Sequence, residues 1–148
     1  MSSFQTGHIG LNVTDLTKSL DFYQRVFGFT TAGERQHEGR RYAFLFQGST
    51  LMLTLWQQSE GRFATARPGL HHLSFQVADL AAVQEAEAVI REIGATLHHD
   101  GVVPHGEGAS SGGVFFEDPD GIRLEIFAPD GAGDRPAPTS GAPTCGFF

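Results

Sequence analysis

Two histidines stand at the same position of a pattern that the chain repeats 64 residues later. His8 opens the segment HIGLNVTDL and His72 opens HLSFQVADL, so both segments read H-[IL]-x-[LF]-x-V-x-D-L. A carboxylate, Glu125, follows the turn sequence DPDG at 118–121. Two imidazoles and one carboxylate that leave coordination positions open form the ligand set of non-haem Fe(II) sites, and they also suit Mn, Zn, Ni or Co. The open positions allow substrate oxygens to bind the metal and be polarised.

The elements that must position these residues also repeat. After each histidine comes a helical pattern, with Asp15 and Asp79 as N-caps and Gly28 and Gly94 as the residues that end the helices. The predicted buried stripes are Leu16, Leu20, Tyr23 and Phe27 in the first helix and Leu80, Val83, Ile90 and Ile93 in the second. Strand-like runs follow at 41–46, 51–56, 94–100, 114–117 and 122–127. Each half therefore reads β-α-β-β-β, which predicts an α+β fold of two modules.

The module boundaries follow from changes in composition. We expect a first βαβββ module at 7–57, a polar linker at 58–69, a second module at 70–128 and a Pro/Gly-rich C-terminal tail at 129–148. The tail composition predicts disorder as far as Thr144. Its last residues, Cys145-Gly-Phe-Phe148, are apolar enough to dock, and we expect them over the rim of a cleft.

Strand parity decides which side chains share a face with the three candidate ligands. Alternate residues of a strand point to opposite faces. If Ile9, Leu11 and Val13 meet the helix, then His8, Gly10 and Asn12 point the other way. The same rule adds Met52, Thr54, Trp56, His72, Ser74, Gln76, Arg123, Glu125 and Phe127 to this second face. His71, beside His72, has the opposite parity and is predicted not to be a ligand.

Composition excludes several classes of partner. The net charge of −7 argues against nucleic acid, which needs a basic surface. The one cysteine, Cys145, cannot form an intrachain disulfide. No secretory signal opens the sequence, and no apolar run approaches the ~20 residues of a membrane span. These features predict a cytoplasmic protein with a small-molecule partner and no membrane contact.

Taken together, the motifs resemble the glyoxalase, bleomycin-resistance and dioxygenase superfamily, also called the vicinal oxygen chelate superfamily. The resemblance spans about 7–128 and rests on H-x-x-L-x-V-x-D-L at His8, DFY at 21–23, FGF at 27–29, His72, and DPDG-x-x-x-E ending at Glu125. It implies paired βαβββ modules in a curled mixed sheet around a metal cleft, one divalent metal per chain held by His8, His72 and Glu125, and a homodimer. The metal in such proteins chelates two adjacent substrate oxygens.

Departures from the family patterns separate the possible reactions. Glyoxalase I enzymes place a glutamate base where this chain has Met52, whose thioether cannot take a proton at neutral pH. Extradiol dioxygenases share the three ligands and add a His and a Tyr, to which His105 (one residue out of register) and Phe115 are the nearest counterparts. Fosfomycin thiol transferases share the ligands too, but the 106–113 loop here has no Lys or Arg for a phosphonate.

These comparisons favour a dioxygenase-like enzyme acting on a small hydrophobic oxygenated substrate, with Fe²⁺ the favoured metal. The residues predicted to contact substrate are Asn12, Met52, Trp56, Phe115, Arg123 and Phe127, and His105 is the one candidate for acid-base catalysis. A thiol transferase or isomerase on the same ligands is the first alternative. The second is a bleomycin-type resistance protein that traps a hydrophobic cation without catalysis.

Overall fold

The computed structural model describes residues 1–147, which fall into two compact units. The first runs from Met1 to Arg62 and the second from Phe63 onward. The first contains β1 (Ile9–Asn12), α1 (Leu16–Phe27), β2 (Arg35–His37), β3 (Arg40–Gln47) and β4 (Thr50–Trp56). The second contains β5 (Leu73–Gln76), α2 (Leu80–Glu92), β6 (Leu97–Pro104), β7 (Gly112–Glu117), β8 (Arg123–Ala128) and a 3-10 turn, η1 (Thr144–Gly146).

Both helices begin at the predicted aspartates. The Asp15 carboxylate accepts a hydrogen bond from the Lys18 backbone N–H, and the Asp79 carboxylate accepts one from Ala82. Gly28 ends α1 with φ 68°, a left-handed conformation that suits a residue without a side chain. Helix α2 closes on Ile93, one residue before Gly94. The predicted caps are therefore confirmed.

Each unit holds a four-stranded mixed sheet with the same topology. The strand orders are β1-β4-β3-β2 and β5-β8-β7-β6, and the first strand of each unit runs parallel to the last. The α+β class and the mixed sheets are confirmed. The structure differs from a single curled sheet, because the eight strands of residues 1–147 form two separate sheets.

Each helix covers one face of its own sheet. In the first unit Leu16, Leu20 and Tyr23 of α1 are buried, as are Leu53 and Leu55 of β4. In the second, Val83 and Ile90 of α2 are buried together with Val114, Phe116, Leu124 and Ile126. Burying each such side chain contributes about 1.5–3 kcal/mol, which fixes the helices on these faces. The opposite face of each sheet is called the site face below.

The helical stripes and strand bounds depart from expectation in a few places. Phe27, Leu80 and Ile93 lie at the edges of their stripes and are only half-buried. Strand β2 was absent from the predicted runs because all three of its residues are exposed and polar. Strand β6 starts at Leu97 rather than Gly94 and continues to Pro104. Its pairing with β7 shifts register between His98 and Val103.

The C-terminal tail is not the disordered segment that its composition predicts. Ala132 is fully buried and its backbone N–H donates to the Ser110 carbonyl at 2.8 Å. The Thr144 hydroxyl donates to the Pro104 carbonyl at 2.6 Å, and the Thr144 N–H donates to His105. The prediction of a docked end is confirmed for Cys145 and Phe147, and Phe148 lies outside the described residues. Neither helix of the described chain is long and apolar enough to cross a membrane.

Candidate metal and substrate site

His8 lies at the open end of the first sheet. It immediately precedes β1 and is exposed. Since Ile9 pairs with Leu53 in parallel register, His8 is level with Met52 of β4, and Asn12 at the other end of β1 pairs with Trp56. In the first unit, one face of these two neighbouring strands therefore carries His8, Asn12, Met52 and Trp56, as their parity predicts.

Aromatic rings cover the site face of the first sheet. The Trp56 ring stacks on Tyr42 with centroids 5.0 Å apart, and its Nε1–H donates to the Thr54 hydroxyl at 2.9 Å. Phe44 meets Trp56 edge-on at 6.0 Å. Tyr42 and Phe44 were not among the predicted substrate residues, although their alternation along β3 could have revealed them. Together with Trp56 they form an aromatic cluster on this face.

Glu125 is the central polar residue of the second sheet. It is only 2% exposed and sits between Ser74 of β5 and Phe115 of β7. Its Oε2 lies 3.6 Å from the His72 Nε2. A buried carboxylate is costly unless it has polar partners, and the histidines around Glu125 supply them.

The other oxygen of Glu125 is hydrogen-bonded to His105. The His105 Nε2 is hydrogen-bonded to Oε1, and its Nδ1 lies 2.7 Å from the Ser111 hydroxyl oxygen. Both ring nitrogens of His105 therefore have a polar partner. His105 was considered only as a weak catalytic candidate, yet it directly orients Glu125 through this Ser111–His105–Glu125 chain.

The neighbouring histidines have different surroundings. His72 is half-buried with Nε2 directed at Glu125, while its Nδ1 lies 2.7 Å from the Nδ1 of the exposed His71. Burial lowers the pKa of His72, with further lowering from His71, Arg123 and His105, and Glu125 opposes the shift. The imidazole is therefore held neutral, which is the form that coordinates a metal.

Apolar and cationic groups surround this polar centre. Phe115 is fully buried beside His105, and Phe127 meets the His105 ring edge-on at 5.1 Å. The Arg123 guanidinium lies 5.1 Å from the ring centroid of Phe147, which reaches this face from the C-terminus. The second unit thus brings together six predicted site residues: His72, His105, Phe115, Arg123, Glu125 and Phe127.

His72 and Glu125 are the residues of the second unit that could hold a divalent ion. Ligand atoms about 2.0–2.2 Å from one ion lie about 3–3.5 Å apart in tetrahedral or octahedral geometry, close to the 3.6 Å between His72 and Glu125. This pair supplies two donors, one imidazole nitrogen and one carboxylate oxygen. Over residues 1–147, the structure shows no group of three His, Cys, Asp or Glu side chains placed to hold a metal.

Known proteins similar to this chain cover nearly all of it. A lactoylglutathione lyase of Neisseria meningitidis is 29% identical over 126 residues, which are 81% of this chain and 87% of that protein. A catechol-2,3-dioxygenase of Bacillus subtilis is 27% identical over 90% of this chain, but the match spans only 42% of the dioxygenase. The fold is also that of the fosfomycin resistance protein FosX from Listeria monocytogenes, crystallised with Mn(II) and sulfate (TM-score 0.63, 21% identity, 86% of this chain and 93% of that one).

The family assignment rests on the length of the profile match. The sequence profile of one superfamily matches residues 5–126, a span that begins before β1 and ends within β8. It therefore includes both βαβββ units except the last two residues of β8, and every candidate site residue except Phe127. The chain belongs to the Glyoxalase/Bleomycin resistance protein/Dioxygenase superfamily.

Proposed function

We propose that this protein is a divalent-metal-dependent enzyme, dioxygenase-like, that acts on a small hydrophobic oxygenated molecule. The observation that carries the proposal is the buried Glu125 carboxylate, which has His72 on one oxygen and His105 on the other. His72 and Glu125 are proposed as metal ligands, with His8 as the third. When bound, the metal would act as a Lewis acid on two adjacent substrate oxygens.

The residues around the proposed metal ligands favour an apolar substrate. Phe115 and Phe127 flank the polar centre of the second sheet, and Met52 and Trp56 lie on the site face of the first. Arg123 and Asn12 are the polar groups proposed to orient a substituent. With O₂ as co-substrate, both of its atoms would enter the product. Fe²⁺ is the favoured metal, and Mn²⁺, Zn²⁺, Ni²⁺ and Co²⁺ are the alternatives.

His105 is proposed as the acid-base residue of this site. Its Nε2 is hydrogen-bonded to Glu125 at the edge of the polar centre, and its Nδ1 lies 2.7 Å from the Ser111 hydroxyl oxygen. A side chain within one hydrogen bond of the reacting group can transfer a proton to it. His105 also holds Glu125 in place, so it has a positioning role in addition.

Oxygen consumption tests the proposed reaction. The protein, loaded anaerobically with Fe²⁺, is mixed with O₂ and a panel of catechols that differ in apolar substituents. We expect O₂ uptake with at least one of them and none from the Glu125→Gln variant. Metal-loaded protein that binds no compound bearing vicinal oxygens would contradict the proposal.

We further propose that the enzyme works as a cytoplasmic homodimer. Light scattering would measure the mass of the particle in solution.

A lactoylglutathione lyase is the second candidate function, because a curated relative of that name is 29% identical. The pairing of β1 with β4 argues against this activity, because it places Met52 level with His8. Glyoxalase I enzymes carry their glutamate base at the position that Met52 occupies in this chain. A thioether cannot accept the substrate proton. A thiol transferase and a non-catalytic resistance protein remain weaker alternatives.

Methylglyoxal turnover separates this candidate from the first. With methylglyoxal and glutathione, we expect less than ~1 turnover per second for the protein loaded with any of the five metals. The rise of absorbance from the thioester product measures the rate, with a known lactoylglutathione lyase as the positive control. Turnover at an ordinary enzymatic rate would contradict this expectation. Another carboxylate of the chain would then have to serve as the base, because position 52 is a methionine.

A further inference from the structure

The side chain of Phe147 lies on the site face of the second sheet. Its ring centroid is 4.9 Å from that of His98, 5.5 Å from Phe115 and 5.6 Å from His72. On another side, the Arg123 guanidinium is 5.1 Å from the same ring. The His71 ring meets it edge-on at 6.1 Å, so the Phe147 ring fills a slot formed by four rings and one cation.

The segment that carries Phe147 is anchored upstream of it. Thr144 is buried, its hydroxyl donates to Pro104 and its backbone N–H donates to His105. Gly146 then follows, and Phe147 itself has φ 57°, a left-handed conformation that is unfavourable for a residue with a side chain. The ring contacts offset this cost, so the contacts of the Phe147 ring, and not its backbone conformation, favour its place in the slot.

The slot overlaps the surface that a substrate would need. His72 is a proposed metal ligand, and Phe115 and Arg123 are proposed substrate contacts. All three lie against the Phe147 ring. A ligand bound at His72 and resting on Phe115 would occupy the space of this ring. Edge-to-face and cation–π contacts are equally available to a substrate ring.

We propose that Phe147 is an intramolecular competitor of the substrate, and that its ring must leave the slot before a planar, apolar ligand binds beside His72. The docking of Phe147 is independent of any reaction, but its competition with a ligand rests on the proposed function. The docked tail lowers apparent affinity, because the measured Kd is the intrinsic Kd divided by the open fraction. A tail docked about nine-tenths of the time would weaken binding about tenfold.

The Phe147→Ala variant tests the competition. Protein loaded with Fe²⁺ or Zn²⁺ is titrated with 4-nitrocatechol, a coloured compound with two adjacent oxygens, and metal content is determined on the same samples. We expect the variant to bind the probe about tenfold more tightly than the unmodified chain. Phe4→Ala is the matched control, because Phe4 is 97% exposed and its removal should change nothing.

Cys145 provides a second readout of the same motion. It is the only cysteine, it lies within η1 beside the slot, and it is half-buried. Its labelling by a thiol reagent should become faster when 4-nitrocatechol is added to the unmodified chain. In Phe147→Ala, labelling should already be fast and should not respond to the probe.

Each outcome separates this proposal from the proposed function. If Phe147→Ala has normal metal content but binds the probe no more tightly than the unmodified chain, the competition alone is overturned. If it binds the probe more weakly, Phe147 is part of the pocket wall. Slower labelling of Cys145 with probe would also overturn it, because the tail would then be closing over the ligand. A chain that binds no metal would overturn both proposals.

Discussion

Replacing His72 by Ala or Glu125 by Gln is expected to lower the affinity for a divalent metal by at least about a hundredfold, more than is typical when only an outer-shell partner of a ligand is removed. Both side chains are proposed ligands, and their donor atoms lie 3.6 Å apart. His8→Ala should cause a comparable loss. Titration of each metal-free variant with Zn²⁺ against a competing chelator measures the affinity.

His71→Ala is the matched control for these variants. His71 is exposed and faces the Nδ1 of His72 rather than Glu125, so its removal should leave full occupancy at saturating metal. The reverse pattern, in which His71→Ala loses the metal and His72→Ala keeps it, would contradict the assigned register of β5. A slip of one residue exchanges the two faces of a strand.

Gly113→Ala is expected to prevent the second unit from folding, or to lower its free energy of unfolding by more than about 4 kcal/mol. A Cβ at this position would lie 2.1 Å from the Ile126 carbonyl oxygen and 2.7 Å from the Phe127 Cα. Both contacts are with the backbone of β8, which carries Glu125, so no flexible side chain can yield. Urea denaturation followed by far-UV circular dichroism measures the loss.

Gly106→Ala is the control for this substitution. A Cβ at Gly106 would meet nothing within 4 Å, and its backbone does not adopt a left-handed conformation. The variant should therefore unfold within about 0.5 kcal/mol of the unmodified protein. Equal stability of both glycine variants would show that β7 and β8 are not packed as closely as described.

The repeat made the helices and the site-face parity predictable from sequence. The same capping aspartates and apolar spacing occur twice, and local hydrogen bonds at Asp15 and Asp79 suffice to start each helix. Parity then placed Met52 beside His8, and Arg123 and Phe127 with Glu125, because paired neighbours in a sheet share a face.

The part played by His105 could not be predicted in this way. Between His98 and Val103 the pairing of β6 with β7 is irregular, and His99 and Gly101 adopt φ values of 67° and 84°. An irregularity of this kind breaks the simple alternation, so counting residues along β6 does not give the direction of His105. Its contact with Glu125 depends on tertiary structure.

The prediction that the tail is disordered was wrong, because amino-acid composition indicates backbone flexibility and does not show where a segment finds space to pack. Gly112 leaves room where a Cβ would lie 2.6 Å from that of Ala132, so the small Ala132 fits against β7. The Thr144 hydroxyl donates to the Pro104 carbonyl of β6, a contact that the Pro, Gly and Ala content of the run does not predict. Small residues here allow close approach as well as disorder.

Metal content tests most directly the proposal that His8, His72 and Glu125 hold one divalent ion per chain. The protein is purified without a tag, equilibrated in turn with Fe²⁺, Mn²⁺, Zn²⁺, Ni²⁺ and Co²⁺, dialysed and analysed for elements. We expect about one ion per chain for at least one of these metals, and little or none in Glu125→Gln. An unmodified chain that retains none of the five metals, or a Glu125→Gln variant that retains as much as the unmodified chain, would contradict it.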